Sequence, residues 1–165
     1  MLLLIQCIVL CVIFTFLILP PQFNNPLSQI ASYPPTIQKR VESLPQYKNT
    51  FKTTKKKNII RKIMGAFLGG IILAVLAFFS GKETFGSAFI HVFILFFAVN
   101  MYDLVIFDFI IFAHCKKVVI PGTEDMVEEY RNPVHHIKGA GKGVVIGAIV
   151  SALSGGVVEI IKQLS

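Results

Sequence analysis

Hydrophobic residues in this chain fall into four long blocks, each interrupted by only a few polar positions. The blocks occupy residues 1–19, 59–80, 87–113 and 143–161. A helix that crosses a bilayer needs about 20 mostly apolar residues, which is more than a buried strand or a core helix requires. The pattern predicts an all-α fold: a polytopic membrane protein whose single domain is a four-helix transmembrane bundle with short interfacial helices.

The first block is followed by Pro20 and Pro21, where we expect the helix to stop. It has neither the basic start nor the small-residue cleavage site of a secretory signal. The sequence therefore predicts an uncleaved first span.

Two long polar segments separate the spans, and between them residues 81–86 form only a short turn. A short connection makes the second and third spans antiparallel neighbours. In the first polar segment, residues 20–58, the residues Ile37, Val41 and Leu44 recur on one helical face. We expect Thr36 to cap this short helix and Pro45 to end it. The helix either lies on lipid headgroups or packs on the bundle.

The second polar segment, residues 114–142, contains a further short helical pattern. Thr123 is expected to cap a helix that has Glu124 and Asp125 in its first turn, where the helix dipole favours acids. Asn132 and Pro133 are expected to end that helix.

Acids and imidazoles in the second polar segment form a candidate metal site. Its members are Glu124, Asp125, Glu128, Glu129, His135 and His136. Carboxylates and imidazoles together can bind a divalent metal. However, none of the usual ligand spacings is present, and Arg131 and Lys138 are near enough to neutralise the acids. A solvated loop is favoured, and we expect no metal, no cofactor and no catalytic residue.

Charge adds an orientation to this picture. The chain is 54% hydrophobic and 15% charged, and its formal net charge is +7. Residues 20–62 carry nine Lys or Arg against one acid, and residues 114–142 carry five more cations. The positive-inside rule then predicts both segments in the cytoplasm and both termini outside a plasma membrane, which we expect to be bacterial.

Basic residues next to a span favour anionic lipid headgroups, rather than nucleic acid, as the partner. The headgroup candidates are Lys55, Lys56, Lys57, Arg61 and Lys62. The chain has three cysteines, Cys7, Cys11 and Cys115, whose positions imply no disulfide framework. Cys7 and Cys11 are expected to be small apolar filler rather than a redox pair.

Small residues recur at every fourth position of the last span and predict close helix packing. They are Gly139, Gly143, Gly147, Ser151 and Gly155, and the second span adds Gly65 and Gly69. Small residues let helix backbones approach in lipid, where van der Waals contact drives association. The partner helix belongs either to this chain, to a second copy of it, or to a larger membrane complex.

The third span contains the ionisable residues that lie deepest in a predicted membrane helix. At about 100° per residue, Asn100, Asp103 and His114 share one face and Asp108 lies on the adjoining side. An aspartate at membrane depth is a candidate for binding a proton or ion. The alternative is a structural hydrogen bond between helices.

Three stretches of the sequence resemble a known family. They are SYPPTIQKRVESLPQYK (residues 32–48), NMYDLVIFD (residues 100–108) and IPGTEDMVEEYRNPVHHIKG (residues 120–139). They are similar to small four-span integral membrane proteins of low-GC Gram-positive bacteria, a family with no assigned activity. The resemblance implies four spans and bacterial origin, and it assigns no residue a role.

Three functions are compatible with these features. The leading hypothesis is a non-catalytic membrane subunit, scaffold or accessory factor that uses the glycine row and the basic loop. The alternative is a small ion- or proton-coupled carrier or channel that uses the aspartates of the third span. A weaker third hypothesis is a membrane enzyme with Asp103, His114 and His135 near one interface.

Overall fold

The computed structural model describes residues 1–164, and all regular structure in that range is helical. The α-helices are α1 (Leu2–Asn24), α2 (Pro35–Ser43), α3 (Phe51–Phe79), α4 (Phe85–Tyr102), α5 (Val127–Tyr130) and α6 (Pro133–Leu164). Helix α4 continues as π-helical turns over Asp103–Phe112, and short 3₁₀ turns cover Pro26–Ser32 and Lys116–Val118.

Four helical stretches are long and apolar enough to cross a membrane. They are Leu2–Asn24, Phe51–Phe79, Phe85–Phe112 and Val127–Gln163. In the most apolar part of α1 only 6% of the residues are buried within the chain, so most of its apolar surface is left for lipid. The predicted all-α membrane bundle is confirmed.

Helix α4 is central, because it contacts α1, α3 and α6. Their shared core consists of small and medium apolar residues: Leu73 and Ala77 of α3; Ala88, Val92 and Leu95 of α4; Val150 and Val158 of α6. Leu3, Cys7 and Leu10 of α1 are partly buried and pack against this core. The two cysteines of α1, Cys7 and Cys11, are both free thiols.

The glycine row of α6 lies partly against α4. A Cβ added at Gly147 would lie 2.6 Å from the ring of Phe96, and one added at Gly155 would lie 2.9 Å from the backbone oxygen of Phe85. An added Cβ at Gly143 would collide with Asn100. These three glycines therefore allow α6 to approach α4 closely.

Other small residues of the predicted rows have different surroundings. The hydroxyl of Ser151 is buried and donates to the Gly147 carbonyl at 2.7 Å, within α6. A Cβ added at Gly139, Gly65 or Gly69 would meet no atom within 4 Å. These three glycines leave open space on the outer surface of α6 and α3.

One end of the bundle is covered by the two long polar segments, and we call residues 25–50 and 114–132 the cap. The cap and the adjoining helix ends share an apolar core, to which α3 contributes Phe51 and the π-helical turns contribute Phe112. The cap contributes Leu27, Ile30, Tyr33, Ile37, Val41, Val118, Ile120 and Tyr130. Ile37 and Val41 are completely buried, so α2 packs on the bundle through its apolar face. We call the other end of the bundle the turn end, after the short turn at residues 81–86.

Two tyrosines stabilise the centre of the cap. The hydroxyl of Tyr33 donates to the Val118 carbonyl at 2.8 Å, and burial raises the pKa of Tyr33, so the donor proton stays in place. The ring of Tyr33 meets that of Tyr130 edge to face, with centroids 5.7 Å apart. The hydroxyl of Tyr130 accepts from the backbone N–H of Ile120 and bonds Thr123.

Two expected helix caps are wrong, because the side chains bond elsewhere. Pro34 precedes α2, and Thr36 donates its hydroxyl to Glu129 instead. Thr123 donates to the Ile120 carbonyl inside the cap core, and the only helix after it before residue 133 is the single turn α5.

Helices also extend beyond the limits that the apolar blocks suggested. Helix α1 continues through Pro20 and Pro21 to Asn24. Because these prolines lie near the end of α1, only the last turns lose hydrogen bonds. Helix α3 begins at Phe51, so the lysine run is helical.

Asn132 and Pro133 follow the end of α5, as predicted, but they also begin the next helix. The Asn132 side-chain oxygen accepts from the backbone N–H groups of Val134 and His135. Asparagine in that role followed by proline at the first helical position is a favourable start. Helix α6 therefore begins ten residues before the predicted span at 143.

Substitutions along the glycine row test the packing of α6 on α4. We expect Gly147→Ala to destabilise the bundle by about 1–3 kcal/mol, because the new methyl group overlaps the Phe96 ring. The matched control is Gly139→Ala, which enters open space and should be neutral or stabilising by up to about 1 kcal/mol. Denaturant unfolding in detergent measures both, and equal effects would contradict this packing.

Candidate functional site

The π-helical stretch Asp103–Phe112 determines how the aspartates of the third span are arranged. In π-helical turns each N–H bonds the carbonyl five residues earlier, so residues five apart lie one turn above each other. Asp103 and Asp108 are five apart. The sequence interpretation assumed α-helical geometry and put them on adjoining sides, whereas the π-helical turns bring them onto one side.

Asp108 pairs with a histidine of α6. Its Oδ1 lies 3.1 Å from Nδ1 of His136, whose side chain is only 4% exposed. The other ring nitrogen, Nε2, lies 2.9 Å from the backbone carbonyl of Tyr130. A carbonyl oxygen only accepts, so Nε2 must have a proton.

A second proton must lie between Asp108 and His136. With Nε2 protonated, either Nδ1 is protonated too and the pair is imidazolium and carboxylate, or the carboxyl group of Asp108 holds the proton. Both forms are neutral overall and contain one shared proton. The contact is therefore a proton-binding arrangement that joins α6 to the π-helical turns.

Two further charged groups lie close to this pair. Lys62 of α3 and both members of the pair are within electrostatic range of Asp103. Asp103 is half-buried and its side chain makes no hydrogen bond to any residue in the described range, so its carboxylate is available to a proton or ligand. We call Lys62, Asp103, Asp108 and His136 the acid–base cluster.

Asn100 lies one turn before Asp103 and has a structural contact. Its side-chain amide donates to the Ala140 carbonyl of α6 at 3.0 Å. The hydrogen bond holds α4 against α6 next to the acid–base cluster, at the place where Gly143 leaves room for the Asn100 side chain.

The 3₁₀ segment Pro26–Ser32 closes the cap end beside the acid–base cluster, and we call it the strap. Lys62 donates to the Ser32 hydroxyl at 2.6 Å, and His135 of α6 donates to the Ser32 carbonyl at 2.9 Å. Ser32 thus connects α3 to α6.

More polar contacts hold the strap along α3. Asn58 is buried; its side chain accepts from the Ala31 N–H at 3.0 Å and donates to Gln29 at 2.9 Å. Arg61 donates to the Ser28 carbonyl at 2.9 Å. These bonds occupy backbone groups that a 3₁₀ segment leaves free.

His114, expected to share a face with Asn100 and Asp103, lies apart from the acid–base cluster. It is exposed after the π-helical turns, and no contact joins it to Asp103 or His135 within residues 1–164. The three residues of the enzyme hypothesis are therefore not assembled.

The predicted headgroup lysines differ in their surroundings. Lys56, Lys57 and Arg61 are exposed on the cap end of α3. The ammonium group of Lys55 lies 5.7 Å from the centre of the Phe51 ring. Lys62 differs from the others, because it is bonded to the strap and faces Asp103.

The acids of the second polar segment bond to groups of the cap. Both carboxylate oxygens of Glu124 accept from the Gly122 N–H, which lowers the pKa of Glu124. Asp125 lies 4.0 Å from Arg40, and Glu128 lies 4.0 Å from Arg131. Within the described range, no three His, Cys, Asp or Glu side chains come together in a way that would hold a metal ion.

Sequence reasoning missed His136 and Lys62 as partners of the aspartates. The available signal was Asn132–Pro133, which is a favourable start for a helix. Extending α6 back to that point puts His136 inside a helix, facing the third span.

No family model, curated protein or solved structure matches this chain. The chemistry of the site is therefore derived from its own side chains. Two carboxylates, an imidazole and an ammonium group within membrane helices are groups that bind protons or small cations.

Substitutions at Asp108 test the shared proton. Asparagine can donate its amide to an unprotonated Nδ1 of His136, whereas leucine leaves that buried nitrogen without a partner. We expect Asp108→Leu to be less stable than Asp108→Asn by about 1–3 kcal/mol. Denaturant unfolding in detergent measures the difference, which should disappear when His136 is also leucine. Equal stabilities with His136 intact would contradict the pairing.

Proposed function

We propose that this membrane protein is a small proton-coupled carrier and that its acid–base cluster binds the coupling proton. The observation that carries the proposal is the 3.1 Å contact between Asp108 and His136 within the membrane-spanning helices. Asp103, one π-helical turn away, supplies a second carboxylate that has no hydrogen bond in the described range.

The charge of the cluster supports proton binding. With Lys62 and His136 both protonated and both aspartates ionised, the cluster is neutral. Adding or removing one proton leaves a net charge in a region of low dielectric constant, where charges interact strongly. When such a site gains or loses a proton, the unbalanced charge favours a change of conformation. Exchange of the proton for a charged substrate would also restore neutrality.

The hydrogen bonds of the strap keep the acid–base cluster closed off at the cap end. Its bonds to Lys62, His135 and Arg61 are polar and lie at the edge of the bundle, where water can replace them. Opening between α3 and α6 would expose the cluster at this end. By the positive-inside rule we take the cap end to face the cytoplasm and both termini to lie outside a bacterial plasma membrane.

Proton flux tests the function directly. Purified protein is reconstituted in liposomes that contain a pH-sensitive dye, and a potassium diffusion potential drives protons inward. We expect the wild-type protein to acidify the interior and Asp108→Asn to reduce the rate by at least about tenfold, because the shared proton is lost.

Glu83→Gln is the matched control, since Glu83 is an exposed carboxylate in the short turn. Its flux should equal that of the wild-type protein. Absence of wild-type flux, or equal flux in Asp108→Asn, would contradict the carrier proposal.

A second candidate function, a non-catalytic subunit, scaffold or accessory factor, is favoured by a different observation. Gly65 and Gly69 are four residues apart on α3, and an added Cβ at either meets no atom of the chain within 4 Å. Such a pair allows a helix of a second copy or of a larger membrane complex to approach closely.

Self-association tests this second function. We expect Gly69→Leu to weaken dimer formation by about tenfold, because the added side chain separates the helix backbones. Gly141→Leu is the control, since Gly141 also faces open space but lies outside that pair. Energy transfer between labelled copies in liposomes measures both. Equal association of the two variants would contradict a glycine-mediated interface.

A further inference from the structure

An apolar groove of about 480 Å³ runs along the outer surface between α3 and α6. Small residues form its floor: Ala66 and Gly70 of α3 leave space that Val150 of α6 only partly fills. The exposed side chains of Phe67 and Leu153 form opposite rims. The groove therefore opens toward lipid rather than toward the bundle interior.

The groove offers no free polar group to a ligand in its floor. Ser154 is the one polar side chain in the lining, and its hydroxyl donates to the Gly70 carbonyl at 3.1 Å. The part of a ligand that fills the groove must then be hydrocarbon, because a polar group there would lose its hydrogen bonds.

Cations lie at one end of the groove only. Lys142 is four residues before Ile146 and Lys62 is four before Ala66, so both lie one helical turn nearer the cap. Lys138 follows one turn further along α6. All three lysines are exposed. Lys62 also donates to Ser32 and lies within electrostatic range of Asp103.

Acids on the two helices do not offset these cations. Helix α3 contains no Asp or Glu, and α6 contains only Glu159 between residues 133 and 164. Glu159 lies at the turn end, where it accepts from the Phe85 N–H. Asp103 and Asp108 of the third span offset Lys62, so the positive charge at the cap end of the groove comes from Lys138 and Lys142. The opposite end has no such charge.

We propose that this groove binds one acyl chain of an anionic phospholipid, with the phosphate at Lys142 and Lys138. The lipid comes from the leaflet at the cap end, because the cations lie there. Charge complementarity selects an anionic headgroup over a zwitterionic one, by about fivefold for each lysine near the phosphate. This site is separate from the proton-binding pair, and either can exist without the other.

A single tryptophan can report the occupant, because the chain has none of its own. Phe67→Trp puts the fluorophore on the groove rim, and Phe16→Trp puts one on the exposed face of α1, where Phe16 is 73% exposed. Each variant is reconstituted with brominated phosphatidylglycerol or with brominated phosphatidylcholine of the same acyl chains. Bromine quenches tryptophan only on contact.

At Phe67→Trp we expect phosphatidylglycerol to bind at least about fivefold more tightly than phosphatidylcholine, the factor that one lysine supplies. At Phe16→Trp the two lipids should quench equally. Adding Lys142→Gln to the Phe67→Trp variant should lower the preference for phosphatidylglycerol over phosphatidylcholine about fivefold. Adding Lys57→Gln, a lysine on the other side of α3, should leave it unchanged.

Two results would overturn the proposal. Equal quenching by both lipids at Phe67→Trp means that only ordinary annular lipid passes the groove. Weaker quenching there by both lipids than at Phe16→Trp means that a protein helix, from a second copy or another protein, covers the groove.

Discussion

The hydrocarbon interior of a bilayer provides no hydrogen-bond partners, and the arrangement of this bundle follows from that constraint. Polar side chains in the spans must find partners on other helices or on their own backbone. Asn100 therefore bonds α6, Tyr102 bonds Thr15 of α1 at 2.9 Å, and Asp108 bonds His136. Most of these groups belong to α4 and its π-helical extension, which explains why that helix is central. The carboxylate of Asp103 is the exception, because it has no hydrogen bond in the described range.

The sequence was sufficient for the parts of the fold that the bilayer itself imposes. The number of spans follows from the number of long apolar blocks, because the hydrocarbon thickness sets the length of helix needed to cross it. The face of α2 follows from the spacing of Ile37 and Val41. The residues that bury this face, Tyr33 and Tyr130 among them, lie up to about 90 positions away and leave no local pattern.

The site was only half predictable, for two physical reasons. The stretch 103–112 is so uniformly apolar that no periodicity distinguishes α-helical from π-helical turns, so Asp108 was assigned to the wrong side of Asp103. His136 lay outside the last apolar block, because polar residues at the start of α6 concealed about three further turns of helix. Similarly, the glycine row could be identified from the sequence. Whether Gly147 or Gly139 contacts α4 depends on where α6 and α4 cross, which the sequence does not show.

The central claim is that one proton lies between Asp108 and His136. Solid-state NMR of protein labelled with ¹⁵N-histidine and ¹³C-aspartate in bilayers tests it, with His136→Gln used to assign the signal. We expect Nε2 to be protonated and Nδ1 to lie within hydrogen-bond distance of the Asp108 carboxyl carbon. A His136 ring that is protonated at Nδ1 alone, or that shows no coupling to Asp108, would contradict the account.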